Sequence, residues 1–492
     1  MKVAFVTPEL QSLVRRTNLA EISEFLPRTL LELGTDVRVF LPKHQGVNPD
    51  LLDGCKRVGT VRVPDGEWEV ELTLDAGMLG DLPVVLIGHD DIFGRRNPYG
   101  DEDGPYSDNW RRYALFARGV LEALQVLKFK ADIIHCVDWT TGLIPVFHQL
   151  EYAGRSDHAA GASGVYFGIH NLAMQGAFER EILPRIGLPH ELFHAVHGVE
   201  LGGKVNFLKA GAEFATIIGT HSPSHAEQVQ EMDRGDGLED TFQRRKKELV
   251  GVLNGTDYRA WDPSTDPLLA KSFSSKNGDP TLGKRRCKAA LQAALNLDSG
   301  PRTPLVTIIG RFDSDSGFDI LAESLTPMLE RNLELVLMGP GQPEIMERMR
   351  TVEQTFAGRC RVIEGYNVNM AHTLLGGADI LILPSHYHSS NTLCAIAMRY
   401  GVSPIVYAHS GLEDTVIDVV TKPKQGTGVL FPTYNSSSLL EGVDQARAIY
   451  KKAAVWKELV KRCLLQDLSW QASARNYLKA YRRVTRRSKA KK

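Results

Sequence analysis

Short, almost uninterrupted apolar runs recur along this chain with helical stretches between them: VAFVT at 3–7, VRVFL at 37–41, VVLIG at 84–88, DIIHCVD at 132–138, VYFGIH at 165–170 and TIIGTHS at 216–222. A strand that is apolar on both faces must be covered on both faces, which is the condition of a parallel sheet layered between helices. After a polar stretch the pattern restarts, with LVTIIGRF at 305–312, LELVLMG at 333–339, RVIEGY at 361–366, ADILILPS at 378–385 and PIVYAHS at 404–410. The repetition predicts an α/β protein of two doubly wound, Rossmann-like parallel-sheet domains in tandem. Ligands of such sheets sit beyond the C-terminal strand ends, so two facing domains would enclose a cleft, and the polar residues following each run are the first candidates for a site.

Composition places the boundaries and excludes several classes. Residues 262–284 are dense in Pro, Ser, Asp, Gly and Lys, the make-up of a surface connection rather than of a buried element. We expect a first domain over 1–253, a junction over 254–284, a second domain over 285–464, and a C-terminal helix with a basic tail over 465–492. Lys and Arg number 58 against 59 Asp and Glu, so no whole-molecule field draws nucleic acid. The basic tail from Tyr481 reads as a solvated end. Six scattered cysteines without a C-x-x-C argue against a disulfide framework or a zinc ribbon, and a reducing cytoplasm is expected. No apolar run approaches the ~18 residues of a membrane span, and the opening run is too short for a signal peptide.

The strand ends carry longer strings: TPELQSLVRRTNLAE at 7–21, RNPYGDEDGPYSDN at 96–109, HCVDWTTGLIP at 135–145, GIHNLAMQGAF at 168–178, GGKVNFLKAGAEFA at 202–215, GVLNGTDYRAWDP at 251–263, GRFDSDSGFD at 310–319 and ADILILPSHYH at 378–388. In this order the chain resembles the bacterial glycogen synthase and plant starch synthase family. These are glucosyltransferases of the two-domain GT-B fold that extend α-1,4-glucans from ADP-glucose with retention of configuration. The resemblance implies that 467–483 forms a last helix crossing back onto the N-terminal domain. It implies α-1,4-glucan (glycogen) and a nucleotide sugar as ligands, while charge and hydropathy have already pointed to no nucleic acid and no membrane as partners. A retaining transfer must neutralise the departing diphosphate, hold the sugar and stabilise an oxocarbenium-like centre, and cationic side chains can do this without a metal or other cofactor.

Carried over residue by residue, the resemblance puts His170 beside the reacting carbon, with Asp138 at a neighbouring cleft-facing strand end. Arg311 matches the first of two cationic diphosphate ligands, and Asn254 the asparagine near the distal phosphate. Tyr366 falls where an aromatic stacks on the adenine, Asn171 and Arg15 lie among the donor contacts, and Glu9 lies on the acceptor side. Each has a blander reading. Asp and Asn favour turns after strands, and Tyr366 reads equally well as a core tyrosine.

The departures from the family pattern lie in the loops that would touch the donor. The second cation, a lysine in R-x-x-x-x-K-G, is Ser316 here, and Asp313 and Asp315 flank it. A unit charge at ~4 Å is worth up to ~4 kcal/mol at an effective dielectric near 20, so the loop's field is expected to weaken or reverse. The ring-holding glutamate is His388, and a phosphate-approaching glycine is Asn391, leaving Ser390 and Thr392 to cap the following helix. The K-x-G-G-L loop reads Arg15-Arg16-Thr17-Asn18-Leu19, keeping a charge and losing both glycines. One lost charge-stabilising contact costs on the order of 10²–10³ in rate. The expectation is therefore a catalytically impaired or non-catalytic, glucan-binding or regulatory paralogue that associates with an active enzyme of glycogen metabolism. The alternative is an active glucosyltransferase in which His388 holds the ring and Arg15 and Arg16 cover the phosphates. A third reading has Asp313 and Asp315 binding a divalent cation in place of the lysine.

Overall fold

The first apolar run folds as β1 (Lys2–Val6), exposed only at Lys2 and placed at the middle of its sheet. It is followed by α1 (Leu19–Glu32), β2 (Asp36–Pro42), β3 (Asp53–Asp65), β4 (Trp68–Leu79), β5 (Leu82–Gly88), α2 (Asn109–Val126), β6 (Ile133–Val137), β7 (Gly164–Ile169), β8 (Ile217–Thr220) and β9 (Leu249–Gly251). The computed structural model describes residues 1–232, 234–276, 278–298, 300–314, 316–385, 391–409 and 411–490. Among the described residues the nine strands pair in the order β9-β8-β7-β6-β1-β2-β5-β4-β3. Pairing is parallel from β9 to β5 and antiparallel across β5, β4 and β3. The antiparallel extension was not anticipated, because β3 and β4 alternate polar and apolar residues instead of running apolar. Gly66, at φ +65°, makes the reversal between them.

The second sheet is parallel throughout. It is built from α3 (Pro280–Ala294), β10 (Leu305–Ile309), α4 (Phe318–Leu329), β11 (Glu334–Gly339), β12 (Cys360–Glu364), β13 (Ile380–Leu383), α5 (Thr392–Arg399), β14 (Ser403–Tyr407) and β15 (Val429–Phe431), and its strand order is β12-β11-β10-β13-β14-β15. The last helix is α6 (Trp470–Ala490). The chain divides into two compact units, Met1–Val252 with Trp470–Lys492, and Leu253–Ser469. No described helix is long and apolar enough to cross a membrane.

The stretch 262–284, read from composition as a surface connection, is built into the second unit instead. Asp266 is buried and shares hydrogen bonds with His372 Nδ1 at 2.7 Å and with the Tyr400 hydroxyl, and Trp261 stacks on His372 with ring centroids 3.8 Å apart. Asp279 caps α3 by accepting from Thr281 N at 3.0 Å, with Pro280 in the first turn. Composition cannot tell a solvated aspartate from one whose donors arrive from a hundred residues away.

α6 packs on α1 and β7 within the first unit. Trp470, Ala474, Tyr477, Tyr481 and Val484 are buried there, and the Tyr481 hydroxyl bonds to His135 Nδ1. Two residues of the basic tail keep solvent exposure and also make contacts: Arg483 donates to Lys247 O at 3.0 Å and Arg487 pairs with Glu248. Removing the fully buried Tyr481 ring (Tyr481→Ala) is expected to cost about 3–5 kcal/mol. Tyr481→Phe keeps the ring and leaves His135 Nδ1 unpaired, a loss of about 1–3 kcal/mol. Urea denaturation of both variants checks this, and equal losses would mean that the hydroxyl, not the ring, secures the helix.

Candidate functional site

β7, β6 and β1 lie side by side, and His170, Asp138 and Glu9 follow their C-terminal ends. Asp138 adopts φ +52°, which L residues seldom take. Its Oδ1 accepts from His170 N at 2.7 Å and Asn171 N at 3.2 Å, so the carboxyl of one strand end fixes the turn at the next. Burial pushes its pKa up to about 7, against the pull of the two N–H groups and with the added push of the Glu9 charge. The His170 ring is buried, and neither ring nitrogen has a hydrogen-bond partner among the described residues. Burial lowers its pKa to about 4, so at neutral pH the imidazole is uncharged, and both of its nitrogens are enclosed by protein. Asn171 uses Oδ1 to accept from Ala173 N at 3.0 Å, the turn chemistry of its blander reading.

Glu9, expected on the acceptor side, is fully buried, and its carboxylate is taken up by the neighbouring loop. It accepts from Arg16 N, from Thr17 N and Thr17 Oγ1 at 2.8 Å each, and from the Tyr99 hydroxyl. A buried carboxylate needs such donors. Thr17, standing where the family pattern has glycine, supplies two of them. The loop thus loses glycine freedom and gains a pin, while Arg15 remains exposed beside it. Tyr99 was not singled out as a site residue, since its partner lies 90 positions away. It also lines a cavity of about 440 Å³ with Tyr106, Trp139, Phe178 and Asn109. Aromatic walls with a polar amide suit the alternating apolar faces and hydroxyl edges of sugar rings.

In the second unit the loop after β10 closes on itself. Arg311 Nε pairs with Asp313 Oδ2 at 3.1 Å, and Asp313 Oδ1 accepts from Ser316 N at 2.9 Å. Burial alone would raise the Asp313 pKa, but Ser316 and Arg311 outweigh it and hold the carboxyl below its usual range. Both Asp313 oxygens are therefore engaged, and Asp315 lies outside the described residues. Among the described residues no group of three or more His, Cys, Asp or Glu could hold a metal ion. Gly317, at φ +82°, is the N-cap residue of α4, and a β-carbon there would come within 2.5 Å of Pro384 O. Ser385 Oγ donates to Ser316 O at 3.3 Å, so the loops after β10 and β13 are in contact.

The remaining expectations divide. Tyr366 is 59% exposed after β12, which removes the core reading. Asn254 is buried at the start of this unit. Asn391 occupies the N-cap position of α5 without a capping side-chain bond, and its amide turns inward to donate to Thr415 Oγ1 at 3.1 Å. Thr392 is the first residue of α5 and so is not its cap, because the chain enters the helix one residue earlier than expected. His388 and Ser390 lie outside the described residues.

Residues 2–244 match the starch synthase catalytic domain family, and residues 296–462 match glycosyl transferases group 1. The chain is 36% identical over 491 residues to a glycogen synthase of Geotalea uraniireducens (strain Rf4), covering 98% of each chain. It is 34% identical over 483 residues to glycogen synthase 2 of Geobacter sulfurreducens, again covering 98% of each. Among solved structures it is similar to the catalytic domain of starch synthase IV from Arabidopsis thaliana bound to ADP and acarbose, with a TM-score of 0.83, 29% identity and 99% of both chains covered. Sucrose-phosphate synthase from Thermosynechococcus elongatus, at 16% identity and a TM-score of 0.57 with 98% of both chains covered, shares the fold alone.

The raised Asp138 pKa has a measurable sign. An unperturbed carboxyl titrates at 3.8 and this one at about 7. Between those values the native state keeps a proton that the unfolded chain has released, and stability falls as pH rises. His170 contributes oppositely, since its lowered pKa makes stability rise from about pH 4 to 6.5. The stability of Asp138→Asn relative to the parent isolates the first contribution. Relative to the parent, the variant is expected to gain steadily from about pH 4 to 7 and then level off, as read by urea midpoints across that range; a constant difference would return Asp138 to an ordinary carboxyl.

Proposed function

We propose that this chain, which belongs to the glycogen and starch synthase family of GT-B glycosyltransferases, is a cytoplasmic, catalytically impaired member that binds α-1,4-glucan and transfers glucose from a nucleotide sugar slowly or not at all. The observation that carries this reading is the missing second cation in the loop after β10. The one cation at the expected diphosphate position is paired to Asp313, and the position of the second cation is a serine whose N–H bonds to the same carboxylate.

Magnitudes decide which of these two changes matters more. The Arg311 side chain is 70% exposed, and an exposed ion pair is worth only about 0.2–1 kcal/mol, so an arriving diphosphate opens it easily. The missing lysine removes a charged hydrogen bond of roughly 1.5–3 kcal/mol and a transition-state contact worth on the order of 10²–10³ in rate. Asp313 is offset by Arg311, so the expected weakened or reversed field turns on the missing lysine and on Asp315, which lies outside the described residues. The adenine nucleotide held by the starch synthase IV structure supports ADP-glucose as the donor to try first.

The first unit favours the second reading, that of a working transferase. It keeps a neutral His170 whose two ring nitrogens make no hydrogen bond among the described residues, the turn that Asp138 holds, and an aromatic cavity suited to a sugar ring. In both readings His170 contacts the donor sugar, Asp138 positions His170, and Arg311 and Tyr366 hold the diphosphate and the base. As an impaired member, the protein would act as a glucan-bound partner of an active enzyme.

Turnover of ADP-glucose and UDP-glucose on glycogen separates the readings. The parent is expected to fall at least about a hundredfold below a typical 10 s⁻¹. Ser316→Lys/His388→Glu is expected to recover about 10²–10³-fold, and Arg311→Ala to remove what activity remains. Elongation by the parent at ordinary rates would overturn impairment and establish the second reading. Retention of the parent on a glycogen affinity gel is expected throughout.

A further inference from the structure

The end of the second sheet opposite the Arg311 loop carries a cavity of about 740 Å³. It is bounded by α3, by Pro301 and Arg302 ahead of β10, by Asp379 just before β13, and by the helix Ala453–Leu465. Its lining holds six basic side chains and two carboxylates. Both carboxylates are already engaged. Asp379 Oδ2 pairs with Lys288 at 2.6 Å and accepts from Leu305 N at 2.9 Å, tying the starts of β10 and β13 together. Asp279 pairs with Lys457 at 2.7 Å and caps α3. Lys284 turns inward and donates to Tyr400 O at 2.9 Å.

That leaves Arg285, Arg302 and Lys451 exposed around the cavity with no carboxylate partner among the described residues. Like-charged groups gathered on a concave surface repel one another unless an anion joins them. Ala453 and Ala454 also line the cavity in the first turn of their helix, whose N-cap residue Lys452 makes no side-chain capping bond. A helix N-terminus adds to the preference for negative charge. Two arginines offer the planar forks that suit phosphate oxygens, and three cations match a phosphomonoester carrying about −1.5 to −2 at neutral pH. The volume exceeds what a bare phosphate fills and lies in the range of sites for small organic ligands. Tyr450, whose hydroxyl lies 3.1 Å from Lys288 Nζ, and Trp456, with ring centroids 4.9 Å apart, supply an apolar wall for the rest of such a molecule.

We propose that this cavity binds a small phosphomonoester, its phosphate held by Arg285, Arg302 and Lys451 and its organic part lying against Tyr450 and Trp456. The site is separate from the donor loop and does not depend on the transferase reading, because it sits at the N-terminal ends of β10 and β13 whereas Arg311 and Ser385 follow their C-terminal ends. Isothermal titration of the full chain with inorganic phosphate and with ribose 5-phosphate tests it. Saturable binding of both is expected, with ribose 5-phosphate tighter. Arg285→Glu/Arg302→Glu should weaken binding at least tenfold, while Arg311→Ala leaves it unchanged. Both arginines in the double variant are exposed, so an unaltered thermal midpoint confirms that it folds. No saturable heat up to about 10 mM ligand, ribose 5-phosphate binding no tighter than phosphate, or binding lost in Arg311→Ala and kept in the double variant would each overturn the proposal.

Discussion

Strands buried on both faces leave a chain few places for polar groups that must meet a ligand, and the principal one is beyond their C-terminal ends. In the first unit this constraint brings Glu9, Asp138 and His170 to adjacent strand ends. Once there, they depend on one another. The Asp138 carboxylate holds the backbone that presents His170, and the Glu9 carboxylate holds the loop that presents Arg15. Because both carboxylates are buried, neither could be replaced by an apolar residue without leaving backbone N–H groups unpaired.

The two units have been treated differently by substitution. In the first, the exchange of a glycine for Thr17 is compensated in place, since the new hydroxyl and the existing N–H both reach Glu9. In the second, Ser316 meets Asp313 through both its N–H and its hydroxyl, but adds no charge to the loop. The Asn391 amide is spent on Thr415 and likewise adds no charge. A scaffold can keep its stability through such changes while its electrostatics decline, because hydrogen bonds within a loop and long-range attraction for an anion are independent properties.

Much of the fold was legible in the sequence. Each apolar run quoted from it contains or overlaps a strand, and the strand-end positions follow directly. β3 and β4 escaped because a half-exposed hairpin has the period of an alternating strand, not the continuity of a buried one. The second unit's first thirty residues escaped because burial of Asp266 depends on His372 and Tyr400, distant in sequence. At the site, residue identities gave the positions but not the partners. Nothing in the spacing of Arg311, Asp313 and Ser316 says that the carboxylate serves both neighbours, or that Glu9 faces a tyrosine 90 residues on.

The Tyr481–His135 bond spans 346 residues, and it has a consequence for the order in which the molecule is made. A ribosome adding roughly 5–20 residues per second needs on the order of 20–70 s to travel that distance. Throughout that interval the first unit is without the helix that covers α1 and β7, so the apolar surface around Val3, Ile22 and Tyr166 stays open to water and to other chains. The whole second unit emerges within the same interval and is free to fold first. The half of the protein that begins the chain is thus the last to be finished, and its vulnerable period in the cell is set by the length of its neighbour.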